Sequence, residues 1–155
     1  MPWEQLFSFA NLFAMICWIG LAFAPKRETV VAPLFYAGAG LLSLSYAVLI
    51  VGLLSGMIDG GSGGGGGSPD FTSLAGVQAI FDTQGGATIG WIHYLAFDLF
   101  VGIWAARNAD RREIGRIVQV PILFLIFMAG PLGLVLYLAS RQFVGKSVEN
   151  ATVPS

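Results

Sequence analysis

Two side chains able to move protons stand in one apolar run: His93 and Asp98, within Gly90-Trp91-Ile92-His93-Tyr94-Leu95-Ala96-Phe97-Asp98-Leu99-Phe100-Val101-Gly102-Ile103-Trp104. An ionised carboxylate at bilayer depth costs roughly 2.5–3.5 kcal/mol on insertion scales, so Asp98 must face other helices, find a partner or be neutral. A neutral carboxylic acid and a neutral imidazole are the two halves of general acid–base catalysis. At about 100° per helical residue, Trp91, Tyr94, Asp98, Val101 and Ala105 fall on one stripe. His93, Phe97, Phe100 and Trp104 fall on another, roughly 140° away. A direct bond between His93 and Asp98 is therefore not expected. They can border one cavity only on a central helix, where Gly90, Ala96 and Gly102 permit close approach by neighbours. Aromatic side chains on such a helix more often face lipid or pack than hold a ligand.

Other residues could complete a site. Asn11, with Ser8, Met15 and Trp18 near it at helical spacing, is the best polar partner for Asp98 or His93, and a purely structural clasp is an equally ordinary role for it. Ser43, Ser45 and Tyr46 are weaker partners. Pro121 and the run Gly130-Pro131-Leu132-Gly133 predict a kink, because proline removes a backbone donor; a substrate slot beside Pro131 is one reading and a packing kink the other. No metal site is expected: Cys17 and His93 are the single cysteine and the single histidine, which excludes a Cys/His cluster and an internal disulfide. No cofactor motif is present.

Four apolar runs must position these groups: 6–24, 33–54, 87–106 and 117–139. A chain of 155 residues that is 55% hydrophobic and 11% charged belongs in lipid. Each run reaches the roughly 20 residues that span hydrocarbon, and continuous rather than alternating hydrophobicity excludes a barrel. The expected fold is an all-α integral membrane protein: four transmembrane helices over residues 1–143, with a polar C-terminal tail over 144–155. Ala22-Phe23-Ala24 looks like a signal cleavage site, but no basic segment precedes it and Pro25 would follow the cut, so the first run is read as a membrane helix. Lys26, Arg27, Arg107, Arg111, Arg112 and Arg116 fall on one side of this arrangement and only Arg141 and Lys146 on the other, which predicts both termini outside. The glycine-rich insertion at 60–68 has the composition of a flexible coil, natural or engineered. After it, Ser68-Pro69-Asp70 resembles a helix start, and Phe71, Leu74, Val77, Ala79, Ile80 and Phe81 form the apolar face of a short interfacial helix; an ordinary ordered loop is the alternative. The net charge of −1 carries no basic stripe, so nucleic acid is not an expected partner.

The run His93 to Gly102, flanked by Trp91 and Trp104 and followed by the arginine-rich loop, resembles the abscisic acid-deficient 4-like family, whose plant members are associated with neoxanthin synthesis. Gln5-Leu6-Phe7-Ser8-Phe9-Ala10-Asn11, Ser73-Leu74-Ala75-Gly76-Val77 and Gly130-Pro131-Leu132-Gly133-Leu134 carry the same resemblance along nearly the whole chain. Without a plastid transit segment, the chain looks like a bacterial, inner-membrane member. The resemblance implies a lipid-soluble carotenoid substrate and an isomerisation of a xanthophyll epoxide with no cofactor. Asp98 and His93 would be the catalytic acid and base, in either assignment. Tyr94 would orient the epoxide oxygen, and Asn11, Trp91, Phe97, Trp104 and Pro131 would line the substrate. Two rival readings stand beside it: a non-catalytic carotenoid or retinoid binding partner of another pigment enzyme, and a small transporter or assembly factor. Gly38, Gly40 and Gly52 leave a face for a homodimer or for a complex with other pigment enzymes.

Overall fold

The computed structural model describes residues 2–24, 27–63 and 70–143, so the C-terminal tail and most of the glycine tract lie outside the described residues. The described residues form helices α1 (Trp3–Phe23), α2 (Arg27–Pro33), α3 (Gly40–Leu54), α4 (Leu74–Phe81), α5 (Gln84–Arg111), α6 (Arg116–Met128) and α7 (Gly130–Phe143), and no strands. A π-helical segment, Leu34–Ala39, joins α2 to α3. It follows directly on Pro33, which has no N–H to give to the ladder, and the wider turn carries the helix past the missing bond. The second apolar helix thus runs Glu28–Leu54 and starts earlier than the expected 33.

Three helices are long and apolar enough to cross a membrane: Trp3–Phe23, Glu28–Leu54 and Gln84–Arg111. The expected fourth crossing is not clearly present, because 117–139 is not one helix. α6 ends at Ala129, whose backbone sits at φ −155 and ψ 72, outside helical geometry, and α7 begins at the next residue. Gly133 then lies against the backbone of Ile126, where any side chain would collide. Residues seven apart in a straight helix stand about 10 Å apart, so the chain has turned back on itself. α6 and α7 are the two arms of a short hairpin. Pro131 falls in the first turn of α7, where a missing N–H costs nothing.

Contacts divide the chain into two compact units, and α1 and α5 contribute to both. One comprises Met1–Met15 and Tyr36–Phe97. There the short helix expected after the glycine tract is present, but it begins at Leu74, beyond the expected Ser68-Pro69-Asp70. Ser73 caps it, its side chain accepting from the Gly76 N–H at 3.1 Å. The Asp70 carboxylate accepts from the hydroxyls of Thr72 and Ser73, at 2.7 and 2.6 Å, and these bonds hold its pKa down at about 2. Gly86 and Gly90 bring α5 against Ile80 and the ring of Phe81, so this helix packs on the start of α5. Gly38 is buried, and Gly52 is covered by Ile58 of the same chain.

The other unit comprises Ile16–Phe35 and Asp98–Ser155. The hairpin leans on the second half of α5 along its whole length. Gln119, near the base of the first arm, donates to Asp110 at 2.9 Å and to the Ile114 carbonyl at 2.6 Å. Tyr137, on the returning arm, donates to Asn108 at 2.6 Å and meets Trp104 edge-on, with ring centroids 5.7 Å apart. At the turn, Gly130 lies against Asp98. The 13 residues of α6 rise about 20 Å, the same rise that separates Arg111 from Asp98 on α5.

Candidate functional site

Asp98 is 7% exposed, and its Oδ2 has no hydrogen-bond partner among the described residues. Gly130 faces it so closely that any side chain at that position would displace the carboxyl. Gly130 does not need positive φ, so its small size here serves the approach to Asp98 rather than the turn. In the first turn of α7 Pro131 has no amide and the Gly133 N–H donates to the Ala129 carbonyl at 3.1 Å, which leaves the amides of Gly130 and Leu132 without a partner in their own helix. A second buried polar atom without a partner among the described residues lies in the same unit: Trp18 Nε1, on a ring 6% exposed that packs beneath Gly102 and against Phe127, two residues before the turn. A buried polar group without a partner costs about 1–3 kcal/mol, so an oxygen atom that satisfied either would gain binding energy.

In the first unit the aromatic side chains of α5 make two clusters. Trp91 Nε1 donates to Asn11 Oδ1 at 2.9 Å, while the Asn11 amide donates to the Phe7 carbonyl at 2.7 Å. Asn11 is thus committed to Trp91 and not to His93 or Asp98, the partners expected for it. Tyr94 stacks on Trp91 at 5.8 Å, with the rings 16° from parallel. On the other stripe His93 lies between Tyr46 and Phe97, at ring distances of 4.8 and 4.7 Å. The helical spacing that separates the two stripes holds: Trp91 and Tyr94 are together, and His93 and Phe97 are together.

Of the remaining expected residues, Trp104 belongs with Tyr137, and Pro131 sits next to Gly130 in the first turn of α7. Trp18, Gly130 and the buried Gln119 were not singled out for the site from the sequence. A signal existed for Gly130 in the run Gly130-Pro131-Leu132-Gly133, which was read as a kink and not as a reversal. Among the described residues no group of three or more histidine, cysteine or acidic side chains could hold a metal.

A model of the ABA DEFICIENT 4-like family matches residues 5–137. The chain belongs to this family. The match takes in both stripes of α5, the Asp98–Gly130 contact and the returning arm as far as Tyr137, so the whole candidate site of this ABA DEFICIENT 4-like protein lies inside the family region. Membership and three long apolar helices together fit a xanthophyll-related membrane protein. No curated protein and no solved structure matches this ABA DEFICIENT 4-like chain.

Proposed function

We propose that this protein isomerises a xanthophyll epoxide end group inside the membrane, with Asp98 as the acid. The reaction breaks the C6–O bond of the epoxide and removes the proton on C7. The electron pair left behind forms C6=C7, completing an allene with the existing C7=C8. The oxygen, still on C5, takes a proton and becomes a tertiary alcohol. Atoms and electrons balance without a redox partner. One observation carries the reading: a buried carboxyl whose Oδ2 has no hydrogen-bond partner among the described residues, lying against Gly130 at the turn of the hairpin. A protonated Asp98 donates to the epoxide oxygen, and the first-turn amides of α7 stabilise the charge that develops on it. His93, the only histidine in the sequence, would take the second role, and the stacked rings around it and around Trp91 have the apolar surface that a polyene chain needs.

The test is pigment analysis by chromatography and mass in a carotenoid-producing bacterial host expressing this chain. A new pigment of unchanged mass is expected. It should disappear in His93→Ala at equal membrane levels, with the substrate still co-purifying. Pigment that co-purifies unaltered, with no new product from several epoxy-xanthophylls, would sink catalysis in favour of a carotenoid-binding partner.

For the membrane we propose three crossings and a re-entrant hairpin, with the N-terminus outside and the C-terminus in the cytoplasm of a bacterial inner membrane. Arg116 donates to the Ala22 carbonyl at 3.3 Å, which joins the end of α1 to the arginine-rich turn. Tyr137 donates to Asn108 at 2.6 Å, one turn before Arg112, so α7 runs back toward that same turn. Lys26, Arg27, Arg107, Arg111, Arg112, Arg116 and Arg141 then share one side, a stronger positive-inside bias than two outward termini would give. A cysteine placed near position 150 in a Cys17→Ser background is expected to resist a membrane-impermeant maleimide in intact cells and to react after lysis. Labelling in intact cells would restore a fourth crossing.

A further inference from the structure

On the α5 face of the second unit a groove of about 310 Å³ is lined by Phe35, Phe100, Ile103, Trp104, Arg107, Asn108 and Arg111. Its chemistry is graded along the helix. Phe35 and Phe100 meet at one end with ring centroids 5.9 Å apart, and Ile103 closes the wall behind them. Two turns on, Arg107 and Arg111 stand four residues apart, hence on one face, and both are exposed. Between the two ends sit Trp104 and Asn108, the pair of side chains that Tyr137 holds from behind, by ring contact and by hydrogen bond. From Phe100 to Arg111 the helix rises about 16 Å.

A xanthophyll carries no anionic group to pair with two guanidinium groups, so this groove is chemically distinct from the Asp98 site. We propose that it binds one anionic phospholipid, its phosphate held between Arg107 and Arg111 and its acyl chain laid over Trp104, Ile103 and the Phe35–Phe100 pair. Guanidinium groups pair with phosphate oxygens in bidentate geometry, and an aromatic next to a basic residue is the arrangement that anchors a helix at a headgroup layer. Each basic residue near an anionic surface contributes attraction of about fivefold in affinity, so two make the groove strongly selective for charge. The lipid would be a resident of the protein, seated where the returning arm of the hairpin braces α5.

Full-length protein stripped of lipid in a neutral detergent should be titrated with dioleoylphosphatidylglycerol and, separately, with dioleoylphosphatidylcholine, and bound lipid counted by native mass spectrometry. One phosphatidylglycerol is expected to bind at least about tenfold more tightly than phosphatidylcholine. Arg107→Gln/Arg111→Gln should abolish that preference, while Arg141→Gln, outside the groove, should keep it. Phe100→Ala should weaken phosphatidylglycerol several-fold without touching either arginine, and inorganic phosphate at millimolar concentration should not displace the lipid. Equal binding of the two lipids would overturn the proposal. So would an equal loss in Arg141→Gln, which would mean diffuse charge, or displacement by inorganic phosphate, which would mean a phosphate site and not a lipid site. Circular dichroism of each variant shows that a loss belongs to the groove and not to the fold, and the proposal stands or falls independently of pigment conversion.

Discussion

Asp98→Asn is expected to reduce pigment conversion by at least about a hundredfold while leaving the protein folded and still carrying its substrate. The size follows from the role: a positioned general acid contributes about 10²–10⁴ in rate, and an amide keeps the shape of the carboxyl while losing its transferable proton. The direction of the stability effect also follows. Asp98 Oδ2 has no hydrogen-bond partner among the described residues, so an amide of the same size breaks no bond at that atom. The thermal midpoint in detergent should therefore stay level or rise as the product disappears. Those two readouts moving in opposite directions would separate chemistry from architecture. Conversion retained within about threefold would remove Asp98 from the reaction, whatever happened to stability.

Gly130→Val should strike the same site from the other side. Its side chain would occupy the space of the Asp98 carboxyl, and the neighbouring backbone, folded tightly at Ala129, has little room to retreat. Overpacking of this kind costs about 1–3 kcal/mol, seen as a drop in the thermal midpoint. Conversion should also be lost, since the acid is pushed away from the first turn of α7. Gly115→Ala is the control: nothing lies within 4 Å of a side chain there, its backbone is at φ −62, and its effect should stay within about 0.5 kcal/mol. Equal stability of the two variants in a side-by-side melt would show that Gly130 does not brace Asp98.

The long helices were legible in the sequence because insertion into lipid depends on summed apolar character, a property of composition that needs no partner. Their ends were less so. α5 was read as 87–106 but continues to Arg111, since a helix can carry arginines outward past the apolar boundary. The division of α5 into two stripes was legible too, as it follows from helical periodicity alone. What failed was everything that depends on how separate segments meet. The run 117–139 has the composition of a crossing, and only the close approach of Gly133 to Ile126 distinguishes a reversal from a kink. Asn11 was matched to an acid or an imidazole because those are its strongest partners in principle. An indole N–H on the acid's own stripe, about two turns earlier on α5, made the bond in fact. Trp18 was noted only for its helical spacing from Asn11, and that its N–H has no partner among the described residues is visible only once its neighbours are known.

The hairpin also bears on how such a chain would be made. Under the proposed orientation the last stretch that must be pushed through the bilayer precedes α5, between Leu54 and Gln84, and it carries Asp59, Asp70 and Asp82 but no lysine or arginine. Everything after Arg111 could enter and leave by the same side, so no further polar segment would have to be carried across once α5 is seated. The contact of Gly130 with Asp98 would be made last, by a piece of chain that arrives from the cytoplasm and never crosses. Assembly of the acid site would then be a docking step within an already anchored protein, open to interruption until α7 is complete.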